Sequence, residues 1–253
     1  KVSIVSDKPQ TTRNRIRGVL TTAETQLIFV DTPGIHKAVS ALGERVNATA
    51  IESTKDVDVV CLVIDATQTF GTGDKYVSNH IDMSKAVVIL NKIDRAEPAK
   101  ILKQLQALSS LGAAEYFPIS AKTGDGVVEL TTYLASRMPE GDLLYPVDMV
   151  TETPDSVWIA ELVREQLLEN THEELPYSIA TRVTEYEPPR IRCEIVVERE
   201  SQKGMVIGKN GSMLKIIGTN VRRQLPSGTF LELAVVVDKN WQQRPERVER
   251  LGY

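Results

Sequence analysis

Apolar runs and amphipathic stretches alternate along the first half of the chain. Four continuous apolar runs predict strands that are covered on both faces, at residues 26–30, 57–64, 86–90 and 116–119. Four stretches with helical periodicity follow these strands in turn, at residues 42–55, 74–83, 99–111 and 126–138. This alternation predicts an α/β domain built on a parallel sheet with right-handed crossovers. Ligands of such sheets bind at the carboxyl ends of the strands, so the polar residues there are the candidates for chemistry.

A proline-bearing segment separates this half from a second pattern. Residues 139–155 contain Pro139, Gly141, Pro146 and Pro154, which predicts a linker. Beyond it the pattern predicts a helix, two alternating strands, a helix after a glycine-rich turn and a last strand, at residues 156–171, 177–187, 190–199, 211–223 and 229–238. We therefore predict three segments: an α/β domain over 1–138, a linker over 139–155, and an α+β module with a C-terminal helix over 156–253.

The charge of the chain is acidic on average but basic in one segment. The 253 residues carry 30 Lys and Arg against 34 Asp and Glu, a formal charge of −4, which does not by itself indicate a nucleic-acid partner. Residues 201–231, however, carry no acidic side chain and five basic ones: Lys203, Lys209, Lys215, Arg222 and Arg223. On charge alone, this basic stripe fits either a phosphate-backbone partner or a solvated helix face.

The remaining composition excludes several classes of protein. Cys61 and Cys193 lie in apolar or alternating runs and are expected to be buried thiols, since two distant cysteines suit neither a disulfide framework nor a zinc site. The apolar run 59–64 is far too short to span a membrane, and the first residues do not have the pattern of a signal peptide.

The tetrad 91–94 (Asn-Lys-Ile-Asp) directly follows the apolar run 86–90 and is the most informative motif. At this corner Asp94 can accept hydrogen bonds from two adjacent N–H donors of a guanine edge. Such a site rejects bases that lack these donors, because its own polar groups would stay unpaired. Asn91 can bond the base and brace neighbouring loops, and the stem of Lys92 can cover a ring face. A strand that merely ends in a polar turn would give the same four letters.

Three further polar motifs agree with this interpretation in their order and position. In the motif 31–34 (Asp-Thr-Pro-Gly), the Asp can hold Mg²⁺ through water while the Gly N–H meets a terminal phosphate. The motif 120–122 (Ser-Ala-Lys) follows the last strand and offers backbone N–H groups to a base. Upstream, a threonine hydroxyl of the motif 10–13 (Gln-Thr-Thr-Arg) could complete the magnesium shell.

Taken together, these motifs resemble those of the G domain of Ras-like, translation-factor-type GTPases over residues 1 to about 138. The resemblance implies GTP or GDP and Mg²⁺ as ligands. The GTP-binding residues it implies are Asp31, Thr32, Pro33, Gly34, Asn91, Lys92, Asp94, Ser120, Ala121 and Lys122. The switch residues it implies are Thr11, Thr12 and Ile35, and the magnesium ligands are Thr12 and Asp31.

The chain departs from this family in two places. The phosphate-cradling motif G-x-x-x-x-G-K-[ST] occurs nowhere in it. In the family that loop follows a central strand, so we expect that Lys1 is not the natural N-terminus and that the chain without the loop does not hydrolyse GTP. The glutamine that orients the attacking water in many relatives is replaced here by Ile35, which implies slow intrinsic hydrolysis. The sequence names no catalytic base.

A second resemblance rests on residues 203–217, where a G-x-x-G turn (Gly208 to Gly211) precedes an apolar helix face. The glycines let the backbone approach a phosphate chain, and Lys209 and the helix N-terminus add positive potential. With basic flanks and two strands before it, this segment resembles a type II KH domain, with the turn expected between a strand and a helix. The resemblance implies binding of single-stranded RNA by Lys203, Ile207, Gly208, Lys209, Asn210, Gly211, Lys215 and Arg222.

The order of the two domains narrows the resemblance further. A G domain, a proline-bearing linker and residues 159–165, 174–178, 202–211 and 239–241 resemble Era, a family of bacterial ribosome-assembly GTPases, over essentially the whole chain. This implies a cytoplasmic factor that binds the 3′ end of small-subunit ribosomal RNA, assists 30S assembly, and engages RNA according to nucleotide state. The Der family also ends in a KH-like domain, but it has two G domains and its KH-like domain lacks the clamping glycines.

Several alternatives stay open at this stage. The rival hypothesis is a non-catalytic RNA-binding scaffold with a degenerate G domain, which nucleotide binding by the complete protein would exclude. Arg13, Arg15 and Arg17 alternate and could contact RNA or form a solvated strand face, while Trp241 could stack on a base or cap the core of the module. We expect a monomer, and a peripheral contact with a membrane through a basic surface is left open.

Overall fold

Strand β4 (Ala86–Asn91) lies at the centre of a three-stranded parallel sheet in the computed structural model, which describes residues 1–253. It pairs on one side with β3 (Val60–Asp65) and on the other with β5 (Glu115–Pro118). The register places Asp65 opposite Asn91, so the polar residues that end these two strands are level with each other. Parallel strands bring their carboxyl ends to one edge of the sheet, as the sequence predicts.

The two faces of β4 build two separate apolar clusters. Val87 and Ile89 pack with Leu130 and Leu134 of α4 (Val127–Ser136). Val88 and Leu90 face the other way and pack with Leu108 of α3 (Pro98–Ser109). A strand covered by helices on both faces is apolar at every position, which confirms the predicted α/β class for this half of the chain. A short helix, α2 (Thr72–Ser78), follows β3.

A hairpin of β1 (Ile16–Thr21) and β2 (Gln26–Asp31) forms a sheet of its own. Strand β3 therefore pairs only with β4 and lies at the edge of its sheet. Cys61 lies on the face of β3 opposite Leu62 and Ile64 and is exposed, as is Val63 on the same face, so the prediction that Cys61 is a buried thiol was wrong. The same prediction is confirmed for Cys193, whose burial raises the pKa of its thiol to about 12.

The α+β module is a second three-stranded sheet with helices on its apolar face. Strand β6 (Ala180–Glu187) is antiparallel to β7 (Arg190–Val197), which is parallel to β8 (Phe230–Val237). The inward side of β7 carries the predicted alternation of Ile191, Cys193, Ile195 and Val197, all of which are buried. They pack against the helices of the module, which are α5 (Asp155–Asn170), α6 (Glu200–Ile207) and α7 (Ser212–Arg222).

Helix α6 corrects the prediction of a strand directly before the G-x-x-G turn. Residues 200–207 contain Gly204 and end in Val-Ile, which weakens their helical pattern. The helix begins because the side chain of Gln202 accepts hydrogen bonds from the backbone N–H groups of Glu198 (2.9 Å) and Arg199 (3.1 Å). The strand predicted from residue 177 starts only at Ala180, because Leu175–Ser178 forms a 3₁₀ turn.

Two compact units emerge from this arrangement. One contains Lys1–Gly18, Val30–Thr49 and Thr151–Tyr253, and the other contains Val19–Phe29 and Ala50–Val150. In the first unit, Leu42 and Val46 of α1 (Ala41–Ser53) share a core with Trp241 and with α8 (Pro245–Arg250). Residues 139–150, in the expected linker, contain neither helix nor strand. None of the helices combines the length and the apolar character needed to cross a lipid bilayer.

Gly126, which begins α4, supports a testable prediction about folding. Its φ is +71°, and a Cβ there would lie 2.6 Å from the carbonyl oxygen of Pro118. We expect Gly126→Ala to lower the free energy of unfolding by about 3 kcal/mol, through left-handed strain and overpacking together. Urea denaturation followed by circular dichroism measures the loss.

Gly112→Ala is the matched control, because Gly112 has a φ of +66° but open space around its Cβ position. It should lose only the conformational part, about 1–2 kcal/mol. Equal losses in the two variants would contradict the close approach at Gly126.

Candidate functional site

The corner after β4 is held by the side chain of Asn91. Its Oδ1 accepts hydrogen bonds from the N–H of Lys92 (2.7 Å) and from the N–H of Ala121 (3.0 Å). Lys92 adopts a left-handed conformation with a φ of +67°, and the following Ile93 N–H donates to the carbonyl of Ile119 (3.2 Å). Asn91 thus ties the loop after β4 to the loop after β5, which is the bracing role predicted for it.

Asp94 is oriented by Ser120. The Ser120 hydroxyl donates to Oδ1 of Asp94 at 2.7 Å and accepts the N–H of Thr123 at 3.1 Å. Oδ2 of Asp94 has no partner within the protein, and the side chain is exposed. A fixed carboxylate with free lone pairs is suited to accept two adjacent N–H donors of a planar base.

The motif Ser120 to Lys122 offers fewer free N–H groups than the sequence suggests. The Ser120 N–H donates to the carbonyl of Asp125 (2.9 Å), and the Ala121 N–H donates to Asn91. Because both N–H groups are already bonded within the protein, they stabilise the loop and are not free to donate to a base. Lys122 is exposed, and its N–H is the one of the three without a bond inside the protein.

Asp65 is a member of this corner that sequence reasoning missed. Its Oδ2 accepts a hydrogen bond from Nζ of Lys92 at 2.8 Å, which holds the lysine stem beside the strand ends. Partial desolvation raises the pKa of Asp65, but hydrogen bonds from Lys92 and Thr67 outweigh it and keep that pKa below the ordinary value. The sequence could have indicated Asp65, because it is the polar residue that ends β3 just as Asn91 ends β4.

A second polar corner joins Thr12 to Asp31. The Thr12 hydroxyl donates to Oδ2 of Asp31 at 3.1 Å. Desolvation raises the pKa of Asp31, and no basic side chain forms an ion pair with it. A partly buried carboxylate beside a hydroxyl, with no cation of the protein, is a set of hard oxygen donors that fits Mg²⁺. No cluster of three or more His, Cys, Asp or Glu exists elsewhere as a metal cage.

The other two predicted switch residues, Thr11 and Ile35, do not face Asp31 in the way that Thr12 does. Thr11 directs its hydroxyl to the carbonyl of Lys8 (2.7 Å), so Thr12 is the threonine that faces Asp31. The loop that carries Ile35 is held at the next residue, His36. Asn47 of α1 accepts the His36 N–H (3.1 Å) and donates to the His36 carbonyl (2.5 Å), a contact that the sequence did not indicate.

The G-x-x-G loop lies between two helices and uses three left-handed residues. Gly208, Asn210 and Gly211 have φ values of +72°, +53° and +77°. A Cβ at Gly208 would collide with Met213 at 2.8 Å, whereas nothing lies within 4 Å of a Cβ position at Gly211. Gly208 therefore serves the close packing of the loop on α7, and Gly211 keeps the outer side of the loop open.

The predicted RNA-binding side chains lie on the loop and on helices α6 and α7 beside it, with Arg222 at the far end of α7. Those of Lys209, Asn210, Lys215 and Arg222 are exposed, while Lys203 and Ile207 are half-buried. Ile217 is fully buried and belongs to the core, and Ile216 is 47% exposed. Sequence reasoning missed two exposed apolar side chains of the same module, Met205 and Phe230.

The structure decides both of the open assignments. Trp241 is fully buried, and its indole N–H donates to the carbonyl of Ser178 at 3.1 Å, so it caps the core of the module. Arg13 is only 3% exposed and binds backbone carbonyls, so it belongs neither to an RNA surface nor to a solvated strand face. Arg15 is exposed, and Arg17 forms an ion pair with Glu152 at 2.8 Å.

Comparison with known proteins gives consistent matches to both halves of the chain. Residues 1–92 match the family described as 50S ribosome-binding GTPase, and residues 174–242 match the KH domain family. The GTPase Era of Mycobacterium bovis (strain BCG / Pasteur 1173P2) is 41% identical over 271 residues, which covers 100% of this chain and 90% of that protein. The GTPase Era of Mycobacterium sp. (strain KMS) is 40% identical over 270 residues with the same coverage.

Two solved structures are similar over the whole chain. One is a point variant of Aquifex aeolicus Era bound to GDP·AlF₄⁻, with a TM-score of 0.94, 37% identity, and coverage of 100% of this chain and 91% of that one. The other is Era in complex with MgGDPNP and nucleotides 1506–1542 of 16S ribosomal RNA, with a TM-score of 0.94, 37% identity, and coverage of 100% and 90%.

The corner of Thr12 and Asp31 supports a prediction about metal binding. We expect Asp31→Asn to leave the metal-free protein at least as stable as the wild type, because it removes a desolvated charge that no basic side chain pairs with, and the amide oxygen can still accept the Thr12 hydrogen bond. The same change should abolish the dependence of nucleotide affinity on Mg²⁺. Thermal unfolding without metal and nucleotide titrations with and without Mg²⁺ measure the two effects.

Asp142→Asn is the control, since Asp142 is exposed in the linker segment and its replacement removes the same charge. It should change neither quantity. A marked loss of metal-free stability in Asp31→Asn would contradict the interpretation of Asp31 as a carboxylate that lacks a cation of the protein.

Proposed function

The chain belongs to the GTPase Era family, and from this premise we propose that it couples GTP hydrolysis to binding of the 3′ end of small-subunit ribosomal RNA during assembly of the 30S subunit. The observation that carries the proposal is the match to an Era structure that contains both MgGDPNP and 16S ribosomal RNA, at a TM-score of 0.94 over the whole chain. The two family matches assign a GTPase and an RNA-binding module to one polypeptide.

Selection of guanine is the task of the corner after β4. Asp94 accepts the N–H donors of the base edge, Ser120 fixes the carboxylate, and Asn91 holds the two loops together. An adenine edge presents a different donor pattern, which would leave Asp94 unpaired and cost binding energy. Lys92, held by Asp65, is placed to lay its methylene stem along a ring face.

Thr12 and Asp31 are the residues that we assign to Mg²⁺. When bound, the ion neutralises charge on the phosphates of GTP during hydrolysis. The Thr12 hydroxyl and the Asp31 carboxylate would hold the ion, and the Gly34 N–H, which makes no backbone hydrogen bond, would be available to a phosphate oxygen. Ile35 has no polar atom with which to orient water, so positioning of the attacking water comes from another group.

RNA binding is the task of the G-x-x-G loop and its basic surroundings. The open backbone at Gly211 and the side chains of Lys209 and Lys215 fit a sugar–phosphate chain. A single strand is the substrate that such a loop accepts, because its bases can leave the stack and reach apolar side chains such as Ile216.

Three finer assignments complete the proposal. We propose the G domain over 1–138, the linker over 139–155 and the KH domain with its terminal helix over 156–253. The family matches over 1–92 and 174–242 lie inside the first and last of these ranges and support them. A partner in the small ribosomal subunit supports a cytoplasmic location. We propose a monomer, and pelleting with anionic vesicles tests the peripheral membrane contact that the sequence leaves open.

Nucleotide specificity tests the G domain. We expect Asp94→Asn in the full-length protein to weaken GTP binding by about 100-fold or more, because two charge-assisted hydrogen bonds are lost. Xanthosine triphosphate, which carries a carbonyl where guanine has its amino group, should become the preferred ligand, since the Asn amide can donate to that carbonyl. Competition titrations with the two nucleotides measure the exchange of preference.

Asp125→Asn is the control, because Asp125 contributes its backbone carbonyl to the same loop while its side chain is exposed. It should bind GTP as the wild type does. An unchanged preference in Asp94→Asn would favour the rival hypothesis of an RNA-binding scaffold with a degenerate G domain.

RNA affinity tests the KH domain. We expect Gly211→Asp to weaken binding of a single-stranded RNA by about tenfold, because the added carboxylate occupies the open side of the loop and repels a phosphate. Gly208→Asp is a poorer probe, since its side chain would collide with Met213 and disturb folding itself. Fluorescence anisotropy at moderate salt measures the affinity.

Gly228→Asp carries the same left-handed strain, with a φ of +87° and open space around it, outside the loop. Its RNA affinity should match that of the wild type within about twofold. If both variants lost affinity equally, the assignment of the phosphate chain to the G-x-x-G loop would be wrong.

A further inference from the structure

Two buried arginines hold the backbone around Thr12, one on each side of it. On the N-terminal side, Nη2 of Arg164 donates to the carbonyl of Thr11. On the C-terminal side, Arg13 donates from Nη1 to the carbonyl of Ile179 (2.6 Å) and from Nη2 to the carbonyl of Tyr177 (2.9 Å). The residue that faces Asp31 is therefore fixed to the α+β module and not only to its own loop.

Burial of the Arg13 guanidinium is unfavourable for folding stability. It is 3% exposed and forms no ion pair with Asp or Glu, its Nε has no hydrogen-bond partner, and its guanidinium lies 5.8 Å from the ring centre of Tyr253. A buried charge without a carboxylate side chain beside it adds little to stability, and an apolar side chain of similar volume would fill the space at lower cost. What a guanidinium supplies is a two-pronged geometry that fixes two carbonyls at once.

The turn that Arg13 binds also supports the helix of the RNA loop. Gln202, in the first turn of α6, donates from Nε2 to the Ser178 hydroxyl at 2.9 Å while its Oε1 caps the start of that helix. Helix α6 ends at Ile207, directly before Gly208 of the G-x-x-G loop. The same turn receives Trp241 at the Ser178 carbonyl (3.1 Å).

We propose that Arg13 is a positioning residue that holds Thr12 at the magnesium corner by binding the Leu175–Ser178 turn and Ile179, so that this turn joins the magnesium corner to the RNA-binding loop. The path runs from Asp31 to Thr12 and Arg13, through the turn to the Ser178 hydroxyl, and through Gln202 along α6 to Gly208. The inference rests on the proposed function, since it assigns Mg²⁺ to Thr12 and RNA to the loop. Occupation of either site then favours one arrangement of a shared support, and the coupling is reciprocal.

The experiment measures coupling in the full-length protein. The dissociation constant of an oligonucleotide with the 3′-terminal sequence of 16S ribosomal RNA is measured with Mg·GDPNP and with Mg·GDP bound, and the ratio of the two constants is the coupling factor. We expect a factor of about five or more in the wild type. The Mg²⁺ concentration for half-maximal GDPNP binding is measured in parallel, without RNA.

Two variants separate the halves of the path. Arg13→Lys keeps the charge but loses the fork, so it should lower the coupling factor about threefold or more and raise the half-maximal Mg²⁺ concentration severalfold. Ser178→Ala removes the hydroxyl that accepts from Gln202 and donates to the Leu175 carbonyl (3.1 Å), but it keeps the Tyr177 and Ile179 carbonyls that Arg13 binds. It should therefore lower the coupling factor and leave the Mg²⁺ requirement unchanged. Arg182→Lys is the control, because Arg182 pairs with Glu194 away from this turn, and it should change neither quantity.

The outcomes distinguish this inference from the proposed function. A wild type that binds neither nucleotide nor RNA would overturn the proposed function. A wild type that binds both without coupling, or folded Arg13→Lys and Ser178→Ala variants that keep the wild-type coupling factor, would overturn the role of Arg13 and leave the proposed function intact. Thermal unfolding of each variant establishes that the protein compared is folded, and Ser178→Ala decides the matter if Arg13→Lys does not fold.

Discussion

The continuous burial of β4 is the constraint on which the guanine corner depends. Every residue from Ala86 to Leu90 is buried, because the strand is paired on both edges and covered on both faces. A parallel strand in that environment cannot shift register without exposing its backbone or moving its side chains to the wrong face. Asn91 is the last residue of this strand and the register partner of Asp65, so the sheet sets its position relative to Asp65 and to Ala121. The apolar residues Ala86–Leu90 do not contact the base themselves, but their packing fixes the geometry of the guanine corner.

In the unit that contains Thr151–Tyr253, the backbone carbonyls of one short turn, rather than the end of a strand, organise the magnesium corner and the RNA loop. The carbonyls of Tyr177, Ser178 and Ile179 lie in or beside a short 3₁₀ turn whose own hydrogen bonding is incomplete. Arg13, Trp241 and Gln242 bind these carbonyls, and each comes from a distant part of the chain. A turn with unsatisfied acceptors is thus an assembly point, because buried carbonyls must find donors somewhere. The magnesium corner and the RNA loop both connect to it.

The sequence allowed β2 to β8 to be predicted from apolar runs and alternation, and the four G-domain motifs from short local combinations of residues, whereas strand β1 was not predicted. Helix α6 was missed because its start depends on a side-chain cap, Gln202, and its own residues favour a helix only weakly. The burial of Arg13 could not be predicted, since its acceptors lie more than 160 residues away and an alternating arginine fits a solvent face equally well. Cys61 was misassigned because a continuous apolar run does not show which face of its strand is left uncovered. Long-range pairing is the information that a local pattern lacks.

The buried position of Trp241 makes its fluorescence sensitive to the packing of the helices around it. It is one of only two tryptophans, it is fully buried, and its ring lies 6.0 Å from that of Tyr253. Its surroundings include Leu42 and Val46, from the helix that follows the Asp31 loop, as well as Val248 of the terminal helix. An indole in so dry an environment emits at short wavelength, and any loosening of that helix would admit water and shift the emission to the red. The emission of Trp241, separated from that of Trp158 by the change Trp158→Phe, can therefore follow the Asp31 side of the molecule without a label.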